Sequence, residues 1–228
     1  MGDKKTLVVL SGAGISAESG ISTFRDGGGL WEQHRIEDVA TFEAWQRNRK
    51  LVLEFYNQRR KQLHEVEPNA AHYELARLEQ FFNVQIITQN VDDLHERAGS
   101  TNVLHLHGEL KKARSTVDDN LVFDIDGWEL KEGMLCPKGS QLRPHIVWFG
   151  EAVPMIEPAA RLCAQADYFI VVGTSLAVYP AAGLVHYVPP QVPKFVVDPN
   201  DVRADVQNVT YIKAAASEGM RKVAEIIC

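Results

Sequence analysis

The chain has 228 residues, 45% hydrophobic and 24% charged, enough for one substantial domain with its own core. A net charge of −6 without a basic stripe argues against a nucleic-acid surface, and no apolar run approaches the ~18–20 residues that a membrane span needs. Three cysteines (Cys136, Cys163, Cys228) make no disulfide framework, and the charged N-terminus carries no cleavage-type signal, so a cytoplasmic protein is expected.

The first expected strand, TLVVL at 6–10, runs straight into Gly12, Ala13 and Gly14. Gly12, Gly14 and Ala17 have the G-x-G-x-x-G/A spacing, which suits either a backbone close to a nucleotide or an ordinary glycine turn. A dinucleotide fingerprint usually adds an acidic strand end about 20 residues on, and none is present. Instead comes STFRDGGGLW, which reads as a mobile cover holding Phe24, Arg25 and Asp26. Helical spacing predicts helices over 42–64 and 68–82, the second with proline in its first turn. A strand at 84–88 leads into QNVDDLHERAG, and one at 102–107 into HGE, so amide, carboxylate and imidazole groups gather at strand ends, where open α/β sheets bind ligands. Residues 111–142 are charged and turn-rich; their LCPKG knuckle leaves Cys136 open as metal ligand, nucleophile or small buried residue. A helix at 158–165, strands at 168–173 and 194–198, and a helix at 217–227 follow. All five apolar runs are nearly continuous, as buried parallel strands are. The alternation predicts an α/β fold, a Rossmann-like parallel sheet with helices on both faces plus a small inserted lobe. Residues 1–35, 84–110 and 143–228 would form the Rossmann-like part of a single domain spanning 1–228, 36–83 the helical part of a small domain, and 111–142 the inserted lobe.

In order along the chain, GAGISAESGISTFR, TQNVDDLHERAG, LHGE, RPHIVWFGE and VVGTSLAVYPAAG resemble the motif series of the sirtuins, NAD-dependent protein lysine deacylases. The resemblance implies NAD as cofactor and acyl-lysine proteins or peptides as partners, with no nucleic acid and no membrane. It implies that Gly12, Ala13, Gly14, Ile15, Ala17, Thr23, Phe24, Arg25 and Trp31 wrap the cofactor. Gln89, Asn90, Val91 and Asp92 match the residues that hold its ribose and carboxamide, and Gly173, Thr174 and Ser175 those on the phosphate and ribose side. Asn200, or Asp198, would hold the adenosine ribose, displaced from the usual asparagine, and the Ala216 backbone would meet adenine. Asn90 and His107 match the catalytic pair, His107 as general base, since an imidazole of ordinary pKa near 6.5 can take a proton from a ribose hydroxyl near neutral pH. His105 reads as a hydrogen-bonded strand-end residue. Val147, Phe149, Gly150, Glu151 and Val178 would flank the acyl-lysine, whose peptide adds as a strand between the lobes. The implied products are free lysine, nicotinamide and O-acyl-ADP-ribose.

Tyr56 and Arg59 share a helix face. In the sirtuin subgroup that removes negatively charged acyl groups, such a pair lines the acyl pocket, with a small residue matching Ala17. A phenol and a guanidinium bind carboxylates well, so succinyl or malonyl removal stronger than deacetylation is expected. The family's zinc cysteines are matched here by Ser115, Asp118, Cys136 and Gly139, too few ligands for a tetrahedral site. No zinc is therefore expected, with Val117, Leu121, Phe123, Trp128 and Leu135 holding the lobe instead. ADP-ribosyl transfer or NAD hydrolysis by the same pocket, and a non-catalytic NAD-sensing module, are the alternatives; a dehydrogenase is disfavoured by the missing acidic strand end.

Overall fold

The computed structural model describes residues 4–21 and 34–228, so Thr23, Phe24, Arg25 and Trp31 of the expected cover lie outside the described residues. Along the chain run β1 (Thr6–Ser11), β2 (Asn83–Thr88), β3 (Val103–His105), β4 (Gly108–Ser115), β5 (Val122–Asp124), β6 (Leu142–Ile146), β7 (Tyr168–Val172), β8 (Lys194–Val197) and β9 (Val209–Ile212). The main sheet is parallel, in the order β3-β2-β1-β7-β8-β9, and a separate antiparallel sheet has the order β5-β4-β6. The chain winds outward from β1 in one direction and from β7 in the other. The order therefore reverses between these two strands, and a crevice opens at their carboxyl ends.

The described helices are α1 (Gly14–Ala17), α2 (Ile36–Val39), α3 (Phe42–Arg47), α4 (Arg49–Glu65), α5 (Ala70–Leu78), α6 (Leu94–Arg97), α7 (Ile156–Ala164) and α8 (Ala216–Ile227), with a 3-10 helix at Ala181–Tyr187. Strand alternation decides which face each residue of β1 buries. Leu7 and Val9 pack with α5 and α8, whereas Val8 and Leu10 pack with α7 and the 3-10 helix. Because both faces are covered, polar alternation is absent from β1. A third cluster joins α2, α3 and α4 to the small sheet.

The helix expected over 42–64 is two helices. The chain breaks at Asn48 (φ −149°, ψ 74°), whose side chain caps α4 by accepting the Leu51 N–H at 3.1 Å. The next helix is trimmed to α5 by Asn69, which accepts the Ala71 N–H while His72 Nδ1 accepts the Asn69 N–H. The strand expected over 102–107 ends at His105, so His107 follows the strand end, and Gly108 then opens β4, which carries the chain into the small sheet.

The apolar residues expected to hold the lobe do so only in part. Val117 is 66% exposed, Leu135 57% and Trp128 41%, and only Leu121 and Phe123 pack partly against the core. Leu110, Ala113, Leu130, Cys136 and Leu142 are buried there instead. Arg60 of α4, fully buried, bolts the lobe in place: Nε donates to the Leu110 carbonyl at 2.5 Å, and one terminal nitrogen donates to Asn57 Oδ1 at 2.8 Å and the Trp128 carbonyl at 2.7 Å.

Candidate active site

The floor of the crevice is backbone packed on backbone. Gly12 N–H donates to the Val172 carbonyl (3.0 Å) and Gly14 N–H to the Gly173 carbonyl (2.8 Å). A Cβ on Gly14 would lie 2.7 Å from Gly173 Cα, and one on Gly173, at φ +64°, would lie 2.2 Å from Ile15 N. These glycines are thus required first by the meeting of two loops, a demand the spacing alone does not reveal. Gly12, Ile15 and the neighbouring Ser16 are buried, Ala13 and Gly14 half-buried, and Ala17 exposed.

Above that floor, Asn90 is fixed on every side. Its backbone N–H donates to Thr88 Oγ1 (3.0 Å), and its carbonyl faces His105 Nδ1 (3.0 Å). Its side-chain Nδ2 donates to Ser16 Oγ (3.1 Å), which in turn donates to Asp92 Oδ2 (3.1 Å). Thr88 Oγ1 also accepts from Ser11 Oγ (2.9 Å); having given its proton there, Ser11 accepts from His95 Nε2 at 2.9 Å. Among the described residues the Asn90 Oδ1 accepts no hydrogen bond, so this buried amide keeps an acceptor for a ligand. Burial raises the pKa of Asp92, opposed by hydrogen bonds from Leu94 and Ser16. Gln89 Nε2 donates to Thr174 Oγ1 (3.0 Å), tying the β2 end to the β7 end, and Val91 accepts the Leu110 N–H (2.8 Å).

His107 Nδ1 lies 3.0 Å from the Gln89 carbonyl. A carbonyl only accepts, so Nδ1 carries the proton and the neutral ring keeps its lone pair on Nε2, which has no partner among the described residues. Burial lowers the His107 pKa, partly offset by that same carbonyl. The ring is therefore a neutral base at neutral pH. Its backbone carbonyl accepts the Val147 N–H (2.9 Å), which brings the segment after β6 against it. His105 differs, with both nitrogens engaged, Nδ1 by Asn90 and Nε2 by Glu96 Oε1 at 2.8 Å.

Toward the small sheet stand Tyr56, buried, and Arg59, half-buried, with the guanidinium carbon 5.9 Å from the Tyr56 ring centroid. Burial lowers the Arg59 pKa, and Tyr56 and Asp92 act in the opposite direction, so this pair lies within electrostatic reach of the Gln89–Asp92 loop. Val147 is half-buried, while Phe149, Gly150 and Val178 are exposed. Phe149 N–H donates to the Ala40 carbonyl (3.0 Å), joining this segment to the helical part. Glu151 is committed internally: it accepts from Arg143 at 2.7 and 3.0 Å, from the Trp148 N–H at 2.8 Å and from Arg114 at 3.4 Å. Glu151 thus supports the loop that carries Trp148 and Phe149. Ser175 is half-buried; Asn200 is exposed and folds its amide onto Asp198 Oδ1 (3.1 Å). Ala216 opens α8, where the next N–H, of Ser217, donates to Glu18 at 2.8 Å.

At the zinc-type knuckle, Cys136 Sγ lies 3.4 Å from Ser115 Oγ and 3.1 Å from Ser140 Oγ, and Asp118 pairs with Lys138 at 2.7 Å. Gly139 closes the turn onto the Cys136 carbonyl. Among the described residues no three His, Cys, Asp or Glu side chains gather as a metal site. Ser16, Thr88, Ser11, His95, Glu96, Arg143 and Trp148 were missed by sequence reasoning. All but Ser11 sit inside motifs already noted; the partners of Ser16 lie 74 and 76 residues away, whereas Glu96 pairs with His105 only nine residues on.

The open acceptor of Asn90, the free Nε2 of His107 and the hydroxyl and amide of Thr174 and Gln89 converge at the strand ends. That donor set fits a ribose and a carboxamide, which need neutral hydrogen-bonding groups. A family model described as the Sir2 family matches residues 12–180. A protein of Bacteroides thetaiotaomicron named NAD-dependent protein deacylase is 52% identical over 229 residues, 98% of each chain, and one of the same name from Aggregatibacter actinomycetemcomitans is 59% identical over 197 residues, 86% of this chain and 94% of that one. The crystal structure of a Sir2 homolog–NAD complex superposes with a TM-score of 0.87 at 39% identity, covering 99% of this chain and 91% of the other. With that match over most of its length, the chain belongs to the Sir2 family.

Proposed function

We propose that the protein is an NAD-dependent protein lysine deacylase that removes succinyl, malonyl or related acidic acyl groups in preference to acetyl. Relatives of that reaction class, aligned over nearly the whole chain, support the reaction. The observation that carries it to particular residues is His107, with its proton on Nδ1 and a free Nε2 beside the immobilised Asn90. NAD, when bound, supplies the ADP-ribosyl group that receives the acyl group as nicotinamide departs. Gln89, Asn90 and Asp92 would hold ribose and carboxamide, and Thr174 and Ser175 the phosphate side. His107 Nε2 takes the proton of a ribose hydroxyl, the role its depressed pKa suits. The rigid surroundings of Asn90 serve orientation, since no protein nucleophile is needed.

The acidic preference is supported by Arg59 beside the buried Tyr56 phenol. A carboxylate receiving a guanidinium and a phenol gains charge-assisted hydrogen bonds that acetyl has no group to accept. Arg59→Met should lower kcat/KM for a succinylated peptide about 100-fold while acetyl-peptide turnover changes far less. Equal losses for the two peptides, or none, would remove the acidic preference from the reading.

A further inference from the structure

We infer that Trp148 is a specificity-determining positioning residue, which orients the Tyr56 hydroxyl so that it donates to the acyl carboxylate. The inference rests on the acyl-pocket reading of Tyr56 and Arg59. Trp148 Nε1 lies 3.0 Å from the Tyr56 hydroxyl oxygen, and both side chains are buried. An indole N–H can only donate, so the phenol accepts at this contact and its own proton is turned elsewhere. Among the described residues nothing accepts that proton. Burial pushes the Tyr56 pKa up to about 12, so the proton stays on the oxygen at working pH. A buried phenol thus retains an unspent donor next to a guanidinium. The carboxylate of a succinyl or malonyl group completes it, and an acetyl methyl cannot.

Trp148 is itself held by charge. The Arg143 guanidinium lies 3.5 Å from the indole centroid, and Arg143 is gripped twice by Glu151, which also accepts the Trp148 backbone N–H. Trp45 stands against the other ring at 5.8 Å between centroids. Half-buried Glu151 and buried Arg143, Trp148 and Tyr56 thus form one chain ending at the acyl pocket. Such chains hold a donor in a single direction, which discriminates between ligands that have and lack an acceptor.

Trp148→Phe keeps a ring beneath Arg143 and removes the N–H. The expected result is a rise in KM for a succinylated peptide, with the succinyl-to-acetyl ratio of kcat/KM falling about tenfold. In a Tyr56→Phe background, which already lacks the hydroxyl, Trp148→Phe should lower that ratio no further. A tryptophan analogue with sulfur in place of the ring N–H, installed at position 148, repeats the test without changing shape, should the phenylalanine variant fold poorly. Equal loss toward both peptides, or full additivity with Tyr56→Phe, overturns the inference. Arg59→Met run alongside separates the two failures: if it leaves the ratio at the wild-type value, the pocket reading itself falls.

Discussion

His105 and His107 lie two residues apart where β3 ends, and their surroundings push them in opposite directions. Burial lowers His107; burial also pulls on His105, but the Glu96 carboxylate, the Asn90 carbonyl and Glu109 together leave it raised. A base must be neutral, so activity through His107 is lost as pH falls through a value below the ordinary 6.5. His105 acts in the reverse sense. Both its nitrogens face acceptors, so its imidazolium form is the one that holds the Asn90 loop, and that support weakens as pH rises through its raised pKa. Glu96→Gln removes the charge that raises it and should shift the alkaline limb of the kcat/KM profile to lower pH, leaving the acid limb in place; an unmoved alkaline limb would refute this reading of His105. His107→Ala should cost about 10²–10⁴ in kcat, measured by nicotinamide release. Asn90, His107, Tyr56 and Arg59 were legible because each stands inside a local motif. The Ser16 and His95 supports were not, because their hydrogen bonds to Asn90 and Ser11 reach 74 and 84 residues along the chain.

Helix α4 shows what a sequence pattern transmits about an element and what it hides. The apolar spacing across 42–64 suggests one helix, but Asn48 is a better cap than interior residue and splits it. Arg60 reads as one charge in a solvated run, yet it is buried against the Leu110 and Trp128 carbonyls. Burial lowers its pKa to about 10, so it remains charged at neutral pH. Arg60→Met leaves two carbonyls without their donor and should cost about 2–4 kcal/mol in a urea denaturation series. In the lobe, Ser115, Cys136 and Ser140 hydrogen-bond with one another at a knuckle that offers too few ligands for a tetrahedral zinc site. The protein purified without a tag should hold less than stoichiometric zinc by elemental analysis, and EDTA should leave its melting temperature and turnover unchanged. Stoichiometric zinc, or collapse on chelation, would contradict that.

Across the whole molecule, β1, β2, β7 and β8 were legible as near-continuous apolar runs because helices cover both faces, and half-buried β3 through the short apolar run at 102–107. The edge strand β9 was not, since its residues are half-buried or exposed and carry no comparable run. The same burial gives the fold an acid sensitivity. His72 is fully buried, and its pKa falls to about 4 through burial; burial also holds His95 well below the ordinary 6.5. Between about 4 and 6.5 the unfolded chain binds protons these rings refuse, so stability is full above 6.5 and declines as pH drops. His72 alone should remove on the order of 1.4 kcal/mol per pH unit across that window. Denaturation at pH 7, 6 and 5 checks the slope. The crevice between β1 and β7 carries the central claim, and mass spectrometry of a succinylated peptide incubated with the protein and NAD tests it most directly. Desuccinylated peptide, nicotinamide and O-succinyl-ADP-ribose should form in equal amounts, faster than the acetyl counterparts. ADP-ribosylated peptide, or nicotinamide release with the succinyl group intact, would contradict it.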